Sequence, residues 1–114
     1  MNKFVKMIAN TSDSVLAKRA SQIGTRAEIA QKTIINEKTN RIAALEMEEL
    51  ALLDFAPSTK DDLKPCVSGD WNADEWAKKL LDIRCELRIL NIEKEIAEKT
   101  YAELFTEIDD ETKE

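Results

Sequence analysis

"WAKKLLDIRCELRILNIEKEIAEKTYAELFTEI", Trp76 to Ile108, decides the fold. Trp76, Leu80, Ile83, Leu87, Leu90, Ala97, Tyr101, Leu104 and Ile108 recur at alternating steps of three and four, and only Lys94 interrupts the series. Apolar residues at that spacing lie along one side of a helix, and four to five such repeats signal helix–helix packing. The same segment carries a second stripe, Leu81, Cys85, Ile89, Ile92 and Ile96. At about 100° per residue it falls roughly opposite the first. A helix that is apolar on two sides requires neighbours on two sides. Asn72, followed three residues later by Glu75, has the spacing of a capping box and predicts the helix start.

Upstream, one more long helix is predicted. "NTSDS" (Asn10 to Ser14) offers side chains that accept the orphan N–H groups of a first turn. Leu16, Ala20, Ile23, Ala27, Ala30 and Ile34 then fall on one stripe, continued by Ile42, Leu45 and Leu52, until Pro57 ends the run. A helix over 13–56 would be roughly 66 Å long at about 1.5 Å per residue, which suggests a coiled-coil-like hairpin. A break near Gly24 or within Ile35 to Asn40 is the alternative. "NKFVKMIAN" predicts a short first helix within 1–10, with Phe4, Val5 and Ile8 on one side. The expected organisation is therefore a single all-α domain over 1–114. It has a short N-terminal helix, helix one over 13–56, a link over 57–72, helix two over 73–108 and an acidic tail over 109–114.

Composition agrees. Of 114 residues, 35% are charged, 43% hydrophobic and 5% aromatic, with two Gly and two Pro, a mix that favours helix over sheet. The net charge of −6 argues against a DNA or RNA partner, which would call for a basic footprint. Residues 1–45 nevertheless hold eight Lys/Arg against three acids, and residues 46–114 hold nine against twenty. The simpler reading of this asymmetry is pairing within the fold or between subunits. The other is that the basic half, around Lys18, Arg19 and Arg26, holds an anionic ligand. In an antiparallel hairpin the same three residues would neighbour Glu103, Glu107 and Asp109.

Much chemistry is excluded by residue type. With no histidine, the chain cannot build His-based acid–base catalysis or Ser-His and Cys-His nucleophiles. Two glycines are too few for a phosphate-cradling loop. Cys66 and Cys85 form no CxxC and no disulfide scaffold. "EMEE" (Glu46 to Glu49) and "EIDDE" (Glu107 to Glu111) read as solvated helix faces, so neither a metal site nor any cofactor is expected. No signal peptide and no apolar run of membrane-spanning length is present, so the expected setting is cytoplasmic, without a membrane partner. An enzyme is not expected.

The link between the helices concentrates the unusual residues. Both prolines, Gly69, Cys66, Trp71 and Trp76 fall between 57 and 76, in a connection longer than the two to eight residues usual between bundled helices. Two readings stand. Trp71 and Trp76 cap the open end of the hairpin, with Val67 and Leu63 folded against them. Alternatively, Trp71, Trp76, Val67 and Lys64 form an exposed recognition loop for a partner, since Trp and nearby cations make binding hot spots.

"MNKFVKMIANTSDSVLAKRA", the long helix, the punctuated link and "LRILNIEKEIAEKTYAELF" together resemble small phage-encoded proteins with a helical-hairpin core. The resemblance is architectural and covers most of the chain. Such proteins include capsid and tail assembly factors, stoichiometric inhibitors of host defence, and oligomeric sponges that sequester cyclic-dinucleotide immune signals. It implies a non-enzymatic protein in the host cytoplasm that acts by stoichiometric binding. The second stripe, Leu81, Cys85, Ile89, Ile92 and Ile96, implies a homo-oligomer. The expected target is a protein. The alternative is an anti-defence sponge for a nucleotide second messenger, held by Lys18, Arg19 and Arg26. A purely structural virion or scaffold component is the third reading.

Overall fold

A computed structural model describes residues 1–55 and 71–107, and among them the protein is all-α. Four helices follow in order: α1 (Lys3–Ala9), α2 (Ser14–Lys18), α3 (Ala20–Phe55) and α4 (Ala73–Phe105). The long helices α3 and α4 run antiparallel, as the paired stripes predict. Among the described residues the only β-type pairing is an isolated bridge between Asn2 and Glu107. The chain forms two compact units. One comprises Met1–Glu37 with Glu93–Glu114, the other Lys38–Ile92.

Local chemistry sets the helix ends. Asn2 caps α1, its Oδ1 accepting the Val5 N–H at 2.8 Å. Asp13 caps α2 by accepting from Val15 and Leu16 at 2.9 and 3.1 Å, which removes two orphan donors of the first turn. Asn72 caps α4 through the Glu75 N–H at 3.1 Å, in the expected place. α3 stops at Phe55, two residues before Pro57.

Helix one is not continuous over 13–56, and it breaks neither near Gly24 nor between Ile35 and Asn40. The interruption is the single residue Arg19, at φ −101° and ψ 9°. Its N–H is shared between the carbonyls of Val15 and Leu16 at 3.1 and 3.2 Å, and its carbonyl receives Ile23 N–H at 3.0 Å. Hydrogen bonding therefore passes through a tightened turn with no Gly or Pro to announce it.

In the first unit, α1 packs on both long helices. The Phe4 and Phe105 rings lie 5.2 Å apart, and Tyr101 and Phe105 5.6 Å apart. Val5 is buried against Gly24 so closely that a Cβ there would overlap Val5 Cγ2. The glycine that looked like a weak point of helix one is the seat of α1. Ala20, Ala97 and Phe105 are also buried. Ala30 and Ile34, expected on the inner stripe, are exposed, and Gln31 and Ile35 lie inward instead. A helix advancing about 3.6 residues per turn carries the face from Ala27 to Gln31. The stripe read from the sequence had followed the apolar side chains to Ala30. Gln31 offsets its polarity by donating to the Ala97 carbonyl at 3.0 Å.

In the second unit the core is aliphatic. Ile42, Leu45 and Leu80 are buried, with Leu45 the most enclosed at 1% exposure. Ile83, Leu87 and Leu90 are half-buried on the predicted face of α4. Arg41–Glu86 and Arg84–Glu49 ion pairs, at 3.1 and 3.2 Å, flank this seam. The arginines are exposed and the carboxylates half-buried, so the pairs fix register more than stability.

Candidate interaction surfaces

The outer face of α4 exposes a line of apolar side chains in the second unit. Leu81, Ile89 and Ile92 are 62, 57 and 51% exposed, and Cys85 is an exposed free thiol. Ile96, one turn beyond Ile92 on the same helix, is exposed as well. All five residues of the second stripe therefore lie on the solvent side of a helix whose other side is packed. On α3, Met47 and Leu50 are exposed too.

The tryptophan pair sits at the end of the second unit. Trp76 lies at the N-terminal turn of α4, and its indole Nε1 donates to the Leu52 carbonyl at 2.7 Å. That carbonyl belongs to the last turn of α3, where four acceptors have no intrahelical partner. The Trp71 and Trp76 rings are 6.2 Å apart and tilted by 45°, and both residues are half-buried. Trp71 Nε1 is buried and finds no hydrogen-bond partner among the described residues. Lys64 and Val67, with the rest of the link from 56 to 70, lie outside the described residues. Beside the pair, Glu48, Ala51, Leu52, Lys79, Asp82 and Ile83 line an open groove of about 510 Å³.

The basic residues singled out in the first half lie in the first unit. Lys18, Arg19 and Arg26 are exposed and form no ion pair among the described residues. Among the described residues no ion pair joins them to Glu103 or Glu107. Glu103 is held by Lys3 at 3.0 Å and Glu107 by the N-terminal ammonium at 2.7 Å. Docking of α1 at this end places its own cations there first, which the hairpin reading had not allowed for. Asp109 lies outside the described residues.

One polar cluster escaped the sequence reading. The Glu28 carboxylate accepts the Tyr101 hydroxyl at 2.9 Å and the Lys32 ammonium at 3.2 Å, while Lys32 Nζ stands 5.7 Å from the Tyr101 ring centre. The Tyr101 hydrogen bond, then that from Lys32, holds the Glu28 carboxyl below its ordinary range. The Glu28 bond, followed by Tyr101, raises the Lys32 ammonium above its own. Glu28 and Lys32 are four apart on α3, but nothing in the sequence aligns them with Tyr101.

Among the described residues no group of three or more Cys, Asp or Glu is placed to hold a metal ion. Nor is any described helix long and apolar enough to cross a membrane. Comparison with protein-family models, curated proteins and solved structures found no match.

Proposed function

We propose that this protein is a non-enzymatic, self-associating helical hairpin that acts by stoichiometric binding to a protein partner, in the manner of phage-encoded inhibitors and assembly factors. The observation that carries the reading is the outer face of α4. Four large aliphatic side chains, each more than half exposed, are aligned opposite a packed face. An aligned apolar stripe on a small chain marks a protein contact surface. The polar clusters among the described residues are ion pairs and hydrogen bonds within and between helices. The tryptophan end is the second contact candidate, through Trp71, with Lys64 and Val67 from the adjoining link. The cytoplasm is the compartment this reading implies.

A nucleotide sponge is the second reading. It is favoured by Lys18, Arg19 and Arg26, three exposed cations without an ion pair among the described residues. Light scattering behind a sizing column, with absorbance recorded on the same peak, tests both. The primary reading expects a discrete multiple of 13.0 kDa, reduced to the single mass by Ile89→Asp. Excess absorbance near 260 nm on the multiple would put the sponge first. A single mass at every concentration would remove self-association.

A further inference from the structure

We propose that the outer face of α4 takes the same face of a second copy, running antiparallel about a two-fold axis. The inference rests on the self-association reading above and adds partner, direction and register.

Asp82, Cys85, Ile89, Ile92, Ile96 and Lys99 follow one another at steps of three, four, three, four and three, and all six are exposed. That is the spacing of the two core positions of a heptad seam. The seam is thus apolar in the middle and oppositely charged at its ends. A two-fold contact requires that if residue i touches j, then j touches i. In an antiparallel pair, each first-type core position meets a second-type position. One register then sets Ile89 on the partner's Ile92, Cys85 on the partner's Ile96 and Asp82 on the partner's Lys99, each contact occurring twice. On one flank, Arg88 comes beside the partner's Glu95; within each helix Glu95 also pairs with Lys99 at 3.2 Å, and both side chains are well exposed and can share the partner's charges.

The alternatives are poorer in charge. A parallel pair puts every core residue against its own copy, so Asp82 meets Asp82 and Lys99 meets Lys99. Sliding the antiparallel pair by a heptad sets Asp82 on the partner's Ile92 in one direction and Lys99 on the partner's Ile89 in the other. The chosen register has one unfavourable element, Glu86 beside the partner's Glu93. Glu86 is already paired with Arg41 at 3.1 Å, which reduces that repulsion. Six core positions per copy are few beside the twenty to thirty residues a side of a standard interface, so the dimer is reversible. Because the contact is isologous, it closes at two copies.

Cysteine crosslinking reads the register. With Cys66→Ser, Cys85 is the sole thiol of the chain. In the antiparallel pair its two copies are offset by eleven positions, roughly 16 Å along the helix, beyond the reach of a disulfide. Adding Ile96→Cys brings a new thiol against each Cys85. Mild oxidation of Cys66→Ser/Ile96→Cys is expected to give a covalent dimer at least tenfold faster than oxidation of Cys66→Ser. Asp82→Lys is expected to weaken the dimer, and Lys99→Asp added to it to restore the dimer. Efficient crosslinking of Cys66→Ser alone shows parallel pairing and overturns the proposal while leaving self-association standing. A protein that dimerises by light scattering without faster crosslinking of the Ile96→Cys variant overturns it equally. A single mass throughout overturns the self-association reading itself, and circular dichroism of each variant confirms that the helices are intact.

Discussion

Trp76 at the start of α4 donates its indole N–H to the carbonyl of Leu52, in the last turn of α3, at 2.7 Å. One side chain thereby ties together the two helix ends that the link must join. It supplies a donor to an acceptor that no backbone N–H of α3 can reach. Trp76→Phe keeps an aromatic ring beside Trp71 but removes the donor, and should cost about 1 kcal/mol. Trp76→Ala also loses the ring and should cost roughly 3 kcal/mol, since the site is only half-buried. Urea denaturation of the two variants separates the contributions. Equal losses would mean that the hydrogen bond contributes all of the effect.

A second prediction concerns Gly24 and Val5. Intrinsic propensity says Gly24→Ala should stabilise α3 by about 1 kcal/mol. The seat of α1 says the reverse, because the added methyl overlaps Val5. The expected outcome is a lower melting temperature and faster proteolysis within residues 3–9. Gly24→Ala combined with Val5→Ala should recover most of the loss, a coupling that a double-mutant cycle measures. Additive effects would show that α1 does not rest on this glycine.

The Glu28–Tyr101–Lys32 cluster has a pH signature. Glu28 has a depressed carboxyl, so its contribution is present above the ordinary carboxylate range and is lost as pH falls through the lower, folded value. Lys32 is raised, so its contribution is complete below the ordinary lysine range and is lost as pH rises through the higher, folded value. The melting temperature of the protein should therefore exceed that of Glu28→Gln at neutral pH and converge with it in acid. Tyr101→Phe should reduce the gap between them, because the tyrosine bond is the largest influence on Glu28. A gap that stays constant down to strong acid would show that the cluster is not electrostatically coupled.

The hairpin was legible because Trp76 to Ile108 carries a long apolar repeat, and such a repeat requires another helix packed along it. Asn72 and Asp13 were legible as caps because their side chains act within three residues of themselves. The break at Arg19 was not, since its dihedrals need no special residue. Gly24 was visible only as a weakness, because its use depends on Val5, nineteen positions away. On α3 the inner face passes through Gln31, which no hydrophobic pattern marks, and the expected stripe therefore veered to Ala30 and Ile34. The outer stripe of α4 was visible in full from its spacing. Its exposure is a tertiary fact, which spacing along one helix does not carry.

Leu45 and Met47 give the last prediction, two apolar residues two positions apart on α3. Leu45 is 1% exposed and Met47 68% exposed. Two residues are about 200° of helix, so they face nearly opposite directions. Leu45→Ala leaves a cavity in the aliphatic core of the second unit and should cost about 2–5 kcal/mol. Met47→Ala removes a side chain already in water, and should change stability by less than about 0.5 kcal/mol. Alanine is also the better helix former, so the small change can have either sign. Denaturation at low protein concentration, where copies are separate, measures the two intrinsic values. Repeating it at high concentration asks whether Met47 belongs to a contact surface. If Met47→Ala then lowers stability only in the concentrated sample, the contact extends from α4 to the outer side of α3. If it does not, the assembly face is confined to α4.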